Sequence, residues 1–358
     1  MAGIAPEKAA TLADVARAAG VSKGTASNVF NRPDVVREEV RARVLSAAKA
    51  IGYHGPDPKG RLLSAGKVNA IGVATVQPLA TFFTDPYERV LMASIAEECD
   101  ANGIGVSLIC AANGEELAWN MRSAVVDGLI LFCLHGAEPL IAQSLQRQLP
   151  FVALDHGDES IPSIDIDNID GGRQAATHLA ELGHRRFAVL AMEFTDDGFG
   201  LATPERIGSS TYLDSRDRVI GYHNALAEYG IDPESAPVFE TQSDRETVNA
   251  AMEKIFSAPS PPTAILAQSD VIAFLAMDWL RRRGLSVPGD VSIVGFDGVP
   301  ETAKSDPPLT TIQQPIAEIG RRAVRAILDS HGETFRETLN VELIVRESTA
   351  PPRGGAAQ

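Results

Sequence analysis

The chain has 358 residues, of which 44% are hydrophobic and 22% are charged, and its formal net charge is −15. This composition is typical of a soluble protein with room for two or three domains, and no apolar run is long enough to span a bilayer. The three cysteines, Cys99, Cys110 and Cys133, lie in apolar segments, which favours buried thiols over disulfides or a metal site. The first residues lack a basic segment followed by an apolar core. We therefore expect no secretory signal, no metal or cofactor, no membrane partner and a cytoplasmic location.

Residues 11–30 predict two short helices joined by a tight turn. Thr11 and Asp14 have the spacing of a capping box, Gly20 is placed to end the first helix, and Ser22 is placed to cap the second. Helical spacing places a set of mostly apolar residues on the inner faces: Leu12, Val15, Ala16 and Ala19, then Thr25, Ala26, Val29 and Phe30. The segment is thus a helix-turn-helix pattern.

The outward face of the second helix carries short polar or cationic groups and no carboxylate, at Lys23, Gly24, Ser27, Asn28 and Asn31. Lys and Asn can bond base edges and hydroxyls can bond phosphates, so this face suits the major groove of DNA. The motif is short, and a surface helix pair in an ordinary globular domain remains the alternative.

A third helix is predicted over roughly 35–51, which would complete an all-α DNA-binding head over residues 1–54. Its inner stripe is expected at Val36, Val40, Val44, Leu45, Ala48 and Ile51. Residues 1–67 carry 11 Lys and Arg against 6 Asp and Glu, whereas the remainder carries 21 against 41. A basic head on an acidic body is expected when only the head contacts phosphates, although two domains that merely differ in charge would look the same.

Residues 55–68 predict a linker, because Gly or Pro recurs at positions 55, 56, 58, 60 and 66. The linker also holds Arg61, Leu62 and Leu63 between two lysines. Leucines in a basic linker suit a minor-groove element in which a leucine wedges between base steps. Docking of these leucines on the following domain is the alternative.

Residues 69–350 alternate short apolar runs with helical stretches. The runs are at 70–75, 106–110, 128–132, 151–154, 187–191, 264–267 and 291–296. The helical stretches lie near 87–101, 115–126, 137–148, 171–182, 217–229, 245–257, 271–283 and 315–329. This alternation predicts an α/β body with parallel sheets in two lobes, and a ligand cleft beyond the carboxyl ends of the strands. Residues 351–358 predict a disordered tail.

Several motifs in order carry a family resemblance: TLADVARAAGVSKGTASNVFNRP, RLLSAGKVNAIGV, DNIDGGRQAATHLAELGHRRFAVL, RVIGY, AQSDVIA, VSIVGFDG and PPLTTIQQP. Along nearly its whole length the chain resembles the LacI/GalR family of bacterial transcription regulators. The resemblance implies a DNA-binding head, a hinge helix and a two-lobed body like that of a periplasmic sugar-binding protein. It also implies a homodimer on a pseudo-palindromic operator, controlled by a small effector.

The resemblance assigns base reading to Lys23, Gly24 and Asn28, and phosphate contacts or support to Ser22, Thr25 and Ser27. Asn28 stands where the family more often has Arg, and Asn pairs best with adenine, so we expect an unusual operator half-site. Lys23 is either a base reader or a phosphate contact. The hinge positions are Arg61 and Leu63; Gly60 replaces the usual Ala and weakens a helix by about 1 kcal/mol, so we expect a hinge that orders only on DNA.

The resemblance implies effector contacts at Asp85, Asp155, Arg218, Ser269, Asp270 and Asp297, with Phe83 and Tyr87 as aromatic covers. Carboxylates and a guanidinium suit a sugar or related polyol. Two alternatives stay open: Asp155 caps the next turn, and Asp270 is only a helix N-cap. The polar segment 193–217 is longer than the family usually has, and is either a loop over the cleft mouth or an idle insertion.

The sequence lacks the signature motifs of the enzyme classes with a similar alternation of strands and helices. The first strand of the body is followed by VQPLA rather than a glycine-rich turn, and neither a phosphate-binding GKS or GKT loop nor a G-x-S-x-G elbow occurs. We therefore expect no enzyme. A binding protein or sensor without a DNA role remains the second candidate. No heptad pattern follows the body, so we expect a dimer rather than a tetramer. The sequence leaves three points open. They are the identity of the effector, whether it weakens or strengthens operator binding, and whether the protein represses or activates transcription.

Overall fold

The computed structural model describes residues 10–55, 67–110, 114–133, 149–155, 161–195, 198–329 and 336–353. The chain divides into two compact units, Met1–Val68 and Asn69–Gln358. The predicted hinge, including Arg61 and Leu63, lies largely outside the described residues.

The first unit contains three helices, α1 (Leu12–Ala19), α2 (Lys23–Asn31) and α3 (Glu38–Ala50), with a 3₁₀ turn at Pro33–Val35. The predicted capping box is confirmed, because Thr11 Oγ1 accepts from Asp14 N at 3.4 Å and Asp14 Oδ2 accepts from Thr11 N at 3.1 Å. Gly20 ends α1 with a φ of 63°, a conformation that costs glycine little. Ser22 caps α2 by accepting from Thr25 N at 3.0 Å.

The core of the first unit is built from the inner faces of the three helices. It consists of Val15, Ala16, Ala19, Ala26, Val29, Val44 and Ala48, with partly buried residues such as Leu12, Phe30, Val36, Val40 and Ile51 around them. The prediction was wrong for Leu45, which is 42% exposed, because it lies one residue and about 100° around the helix from Val44. The third helix also begins later than predicted, at Glu38, because the 3₁₀ turn precedes it.

The second unit alternates strands and helices. Its described helices are α4 (Thr81–Thr84), α5 (Pro86–Ala101), α6 (Gly114–Ser123), α7 (Asn168–Glu181), α8 (Pro204–Gly208), α9 (Leu213–Glu228), α10 (Arg245–Phe256), α11 (Asp270–Arg282) and α12 (Ile316–Leu328). Its described strands are β1 (Ala70–Thr75), β2 (Gly105–Cys110), β3 (Gly128–Leu131), β4 (Phe151–Leu154), β5 (Ser163–Ile166), β6 (Phe187–Ala191), β7 (Gly200–Leu201), β8 (Val238–Glu240), β9 (Ala264–Ala267), β10 (Ser292–Asp297), β11 (Thr310–Gln313), β12 (Arg336–Leu339) and β13 (Glu342–Ile344).

These strands form two sheets, which confirms the two-lobed prediction. The sheet of the N-terminal lobe has the order β12-β5-β4-β3-β1-β2, with every pair parallel. The sheet of the C-terminal lobe has the order β13-β11-β10-β9-β6-β8-β7, in which β13 and β7 pair antiparallel at the edges. Strands β1, β3, β4 and β6 are buried almost throughout, as expected for sheets covered on both faces.

The chain passes between the lobes after β5, after β11 and after β12. The third crossing joins β12 of the N-terminal sheet to β13 of the C-terminal sheet. Helix α12, which follows the C-terminal strand β11, packs on α5 of the other lobe. These crossings bring the carboxyl ends of the central strands of both sheets toward one cleft.

The seven predicted strands are confirmed to within one residue, and seven predicted helices begin and end within four residues of the observed ones. The helix predicted over 137–148 lies outside the described residues. All three cysteines are free thiols; Cys99 is buried as predicted, whereas Cys110 and Cys133 are half-buried. The predicted disordered tail starts too early, because Arg353 pairs with Asp290 at 2.6 Å; residues 354–358 lie outside the described part. Among the described helices, none combines the length and the apolarity that a membrane crossing requires.

Candidate DNA-reading helix and effector cleft

Helix α2 presents an uncharged or cationic polar face to solvent. Lys23, Gly24, Asn28 and Asn31 are exposed, and Ser27 is half-buried. Asn31 Nδ2 donates to Ser27 Oγ at 3.1 Å. This leaves the exposed side chains of Lys23 and Asn28 as the groups best placed to reach a base edge.

The start of α2 is held by two hydroxyls. Ser22 Oγ and Thr25 Oγ1 share a hydrogen bond of 2.9 Å, and Ser22 also accepts from Thr25 N. Thr25 is half-buried. The two hydroxyls therefore order the helix N-terminus, whose free N–H groups and dipole favour a phosphate.

A chain of hydrogen bonds crosses the cleft of the body. Asp155 directly follows β4, and its Oδ1 accepts from Asn168 Nδ2 at 2.9 Å. Asn168 is the first residue of α7, and its Oδ1 accepts from Arg218 Nε on α9 at 2.9 Å. The chain therefore links the end of a strand in one lobe to the guanidinium of the other.

Arg218 is fixed on several sides and is only 3% exposed. Its guanidinium lies 3.8 Å from the centroid of the Phe296 ring, and it donates to the carbonyl of Gln268. Nη1 lies 3.8 Å from Asp297 Oδ1, which in turn accepts from Gln314 Nε2 at 2.8 Å. A buried guanidinium held this way is preorganised to donate in fixed directions.

The close approach of α7 and α9 positions this network. A Cβ on Gly221 would lie 2.1 Å from the carbonyl oxygen of Ile169, and one on Gly172 would lie 2.4 Å from that of Arg218. Only glycine allows the two backbones to come so near. The sequence places these two glycines in the motifs DNIDGG and RVIGY.

Burial raises the pKa values of two carboxyl groups in the cleft. It raises the pKa of Asp155 to about 7, with the charge of Asp214 adding to the effect and Arg218 opposing it. Burial also raises the pKa of Asp297 well above its ordinary range, although Arg218 lies beside it. A carboxyl group that keeps its proton can both donate and accept hydrogen bonds.

Residues at the start of α5 line the same region. Asp85 caps α5 by accepting from Glu88 N at 3.0 Å, and burial raises its pKa. The Tyr87 ring stacks on Phe132 with centroids 6.2 Å apart. Burial raises the pKa of Tyr87 well above its ordinary value, and the charges of Asp155 and Asp297 add to this rise. Phe83, in contrast, is 64% exposed on α4 and takes no part in this stack.

Asp270 has a role that the sequence pattern did not predict. It is fully buried, and its carboxylate accepts from Thr311 Oγ1 at 2.6 Å and from Val299 N at 2.9 Å. Ser269, not Asp270, caps α11, by accepting from Ile272 N at 3.2 Å, so the N-cap alternative for Asp270 is wrong. Both carboxylate oxygens of Asp270 are occupied inside the lobe.

The segment 193–217 is folded rather than an open loop. It contains β7, α8 and the start of α9. Arg206 donates to both carboxylate oxygens of Glu240, which is 2% exposed, and to Thr195 Oγ1 at 2.8 Å. This pair of a buried glutamate and a half-buried arginine anchors the segment to the edge of the C-terminal sheet.

Several residues of the network were not predicted from the sequence, namely Phe132, Asn168, Gln268, Phe296 and Gln314. Four of them follow or end a strand or open a helix at the carboxyl edge of a sheet. That position is the signal that could have identified them.

A polar helix-turn-helix face and a two-lobed α/β body with a polar cleft define a DNA-binding regulator that senses a small molecule. Comparison with known proteins supports the same class of protein. Residues 11–56 match the model of the bacterial regulatory proteins of the lacI family, and residues 176–349 match a periplasmic binding protein-like domain. The chain belongs to the LacI family of bacterial transcriptional regulators. It is a DNA-binding regulator and not an enzyme.

Three similar proteins illustrate the relationship. The HTH-type transcriptional regulator Rv3575c of Mycobacterium tuberculosis is 35% identical, over 97% of this chain and 99% of that protein. The structure of the lac repressor dimer bound to operator and the anti-inducer ONPF is 28% identical, with a TM-score of 0.76 over 96% of this chain and 100% of that one. The transcriptional regulator CelR–cellobiose complex is 28% identical, with a TM-score of 0.69 over 95% and 99%.

Proposed function

We propose that this regulator represses transcription by binding a pseudo-palindromic operator as a homodimer, and that a sugar-like polyol in the cleft controls its affinity for that operator. The observation that carries the proposal is the hydrogen-bond chain from Asp155 through Asn168 to Arg218, which spans the lobes in a buried polar cleft. The dimeric, operator-bound lac repressor and the cellobiose complex of CelR, to which the chain is similar, support the assembly and the effector class.

For DNA, the proposed base readers are Lys23 and Asn28, with the backbone at Gly24 close to the groove. Ser22, Thr25, Ser27 and Asn31 contact phosphates or order the helix. Arg61 and Leu63, which lie outside the described residues, form the hinge contact in the minor groove. Because Asn pairs bidentately with adenine whereas Arg pairs with guanine, the half-site contains adenine opposite Asn28. We also propose a cytoplasmic location, since the DNA of a bacterium is in its cytoplasm.

For the effector, the proposed ligands are Arg218, Asp155 and Asp297, with Tyr87 covering an apolar face of the ring. Asp85 and Ser269 are further proposed contacts, although their side-chain oxygens already accept hydrogen bonds in helix caps. The residues at 55–68 act as the hinge between head and body. The effector shifts operator affinity by its difference in affinity for the two states of the body.

The test is fluorescence anisotropy with the DNA upstream of the protein's own gene, against a scrambled duplex of equal length, across a salt series. We expect tight binding to the first duplex only, weakening steeply with salt because the head neutralises phosphates. Ligands that bind the body are then added to the specific complex. Equal binding to both duplexes, with or without these ligands, would contradict the proposed operator.

A further inference from the structure

The buried carboxylate of Asp270 ties three segments of the C-terminal lobe together. Asp270 is the first residue of α11 and is 0% exposed, so it offers no surface to a ligand. Its Oδ1 accepts from Thr311 Oγ1 on β11 at 2.6 Å, and its Oδ2 accepts from Val299 N at 2.9 Å. A Cβ on Gly295 would lie 2.3 Å from Oδ1, so the glycine of β10 leaves the space that the carboxylate fills.

The backbone that Asp270 holds is the turn after β10, residues 297–303, and this turn is strained at its start. Asp297 has a φ of 115°, which is uncommon for a residue other than glycine. Gly298 follows with a φ of 73°, and a Cβ there would lie 2.7 Å from Cα of Gln313, so the turn packs tightly on the end of β11. Such strain persists only where the surrounding contacts enforce it.

Hydrogen bonds on two sides enforce the conformation of the 297–303 turn. Gln314 N donates to the carbonyl of Asp297 at 3.0 Å, and Gln314 Nε2 donates to Asp297 Oδ1 at 2.8 Å. Gln314 directly follows β11, where the chain crosses between the lobes. Asp270 holds the turn from the other side through Val299 N. Release of either side would let Asp297 relax toward ordinary backbone angles.

The turn carries two side chains that contact other parts of the body. Asp297 Oδ1 lies 3.8 Å from Nη1 of Arg218. Glu301 lies in a short 3₁₀ helix, Pro300–Ala303, and pairs with Arg89 on α5 of the N-terminal lobe. The position of the turn therefore affects both a proposed effector ligand and a contact between the lobes.

We propose that Asp270 is a positioning residue of the cleft, which acts by holding the 297–303 turn and not by touching the effector. Loss of its bond to Val299 lets the turn relax, so that Asp297 moves from Arg218 and the contact between the lobes weakens. The equilibrium between closed and open lobes then shifts toward the open arrangement, and this equilibrium is what an effector acts on. The inference rests on the proposed sensing function of the cleft.

Three substitutions separate this role from a purely stabilising one. Asp270→Ala removes both hydrogen bonds of the carboxylate. Thr311→Val is the matched control, because it removes one of them and leaves the bond to Val299. Asp270→Asn is the conservative variant, because its amide oxygen can still accept from Val299 N while its amide nitrogen donates to the hydroxyl of Thr311. A backbone ester at Val299, which replaces the N–H by an oxygen and keeps the side chain, removes the same bond if Asp270→Ala does not fold.

Two native cysteines report separately on the cleft and on global unfolding. Cys133 is half-buried and lies just past the carboxyl end of β3, the end of a strand that faces the cleft, so its exposure should increase when the lobes part. Cys99 is 1% exposed within α5 and should react only when the lobe unfolds. A pulse of N-ethylmaleimide on the full-length protein, followed by peptide mass spectrometry, measures both rates.

Asp270→Ala, or the ester at Val299, should raise the labelling rate of Cys133 by about 10-fold, the effect of one lost hydrogen bond, with the rate of Cys99 unchanged. Amide hydrogen exchange of peptides that cover the 297–303 turn should rise in the same proteins. Thr311→Val and Asp270→Asn should label and exchange as the parent does.

The ion pair between the lobes provides a second comparison. Arg89→Gln should also raise the labelling rate of Cys133, to a smaller extent, because an exposed ion pair contributes little. Arg325→Gln is its control, since Arg325 on α12 pairs with Glu98 on α5 at 2.9 Å and both helices pack on each other away from the turn. It should label as the parent does.

The inference is overturned if Asp270→Ala and the ester label Cys133 no faster than Thr311→Val does. It is also overturned if the rates of Cys133 and Cys99 rise together, which is the result expected of a carboxylate that only stabilises the lobe. None of these measurements needs DNA or a ligand. Operator binding by the parent protein decides the proposed function separately, so the failure of one is distinguishable from the failure of the other.

Discussion

Asn168 receives a hydrogen bond from Arg218 Nε at 2.9 Å and gives one to Asp155 at the same distance. A single amide thus orients a guanidinium of one lobe and a carboxyl group of the other. Since an amide has distinct donor and acceptor ends, this bridge sets the direction of both neighbours. The arrangement is the structural basis for treating the two sides of the cleft as one site.

Replacing Arg218 by Lys should destabilise the body and abolish its response to effector. Lysine lacks the Nε donor and the planar group that stacks on Phe296, so the carbonyl of Gln268 and the oxygen of Asn168 lose partners. We expect a loss of about 1–3 kcal/mol in the free energy of unfolding. Urea unfolding followed by tryptophan fluorescence measures this, because Trp119 and Trp279 both lie in the body.

Arg216→Lys is the matched control, because Arg216 lies on the same helix but is half-buried and pairs with the adjacent Asp217 at 2.8 Å. Such a pair contributes little, so Arg216→Lys should unfold within about 0.5 kcal/mol of the parent. Equal losses from both substitutions would contradict the special role of Arg218.

The contact between α7 and α9 should not tolerate a methyl group. Gly221→Ala would place Cβ 2.1 Å from the carbonyl oxygen of Ile169, and because backbone cannot yield cheaply, the helices must separate. We expect a destabilisation of at least about 1–3 kcal/mol, together with weaker effector binding as Arg218 moves from Asn168. Gly208→Ala, where a Cβ meets nothing within 4 Å, should leave the midpoint of urea unfolding unchanged or raise it slightly. A parent-like Gly221→Ala would show that the close approach is dispensable.

Local patterns predicted the head well, and tertiary contacts explain where prediction of the body failed. The capping box, Gly20 and the cap at Ser22 act within a few residues, so their chemistry is visible in the sequence. Strand β5 was missed because its buried Ser163 and Asp165 bond each other at 2.7 Å rather than forming an apolar run. Strands β7 and β13 were missed because they are short edge strands held by pairing.

The site shows the same division between features set by local sequence and features set by tertiary contacts. Arg218 and Asp297 were predicted as neighbours of the ligand because motifs and strand ends place them at the cleft. Asp270 occupies a similar position in sequence, yet its carboxylate turns inward to Thr311 and Val299, which depends on the packing of three separate segments. The bridge through Asn168 was not predicted, since it requires the glycine contact between α7 and α9.

The stability of the body should fall as the pH rises through the titration of Glu88. Burial, reinforced by the charge of Asp85, raises the pKa of Glu88 from 4.5 to about 8. Between these values the folded protein holds a proton that the unfolded chain has released, so the free energy of unfolding decreases with pH. Glu88→Gln removes the titrating carboxyl group, so the variant should lack this pH dependence. The melting temperature of Glu88→Gln minus that of the parent should therefore increase from pH 5 to pH 8. Glu246→Gln, at an exposed site, should show a constant offset, and a constant offset for Glu88→Gln as well would contradict the buried ionisation.

The exposed side chains of Lys23 and Asn28 on α2 should have separable effects on DNA binding. Asn28→Arg should move the preferred half-site from adenine toward guanine at one position, because a guanidinium pairs bidentately with guanine. Selection from a randomised duplex library measures this, with Asn31→Gln, near the end of the same helix, as the control that should keep the parental sequence.

Lys23→Ala distinguishes the two roles open to the lysine. If its ammonium neutralises a phosphate, affinity should drop equally on all duplexes, and the slope of log affinity against log salt should fall by about 1 for each phosphate that is no longer neutralised. If it reads a base, discrimination at one position should relax by about 1–3 kcal/mol while the salt slope changes little. We expect the first pattern, because Lys23 lies in the first turn of α2, where the helix N-terminus already favours a phosphate. A weakened discrimination confined to one base pair would show that Lys23 is a base reader.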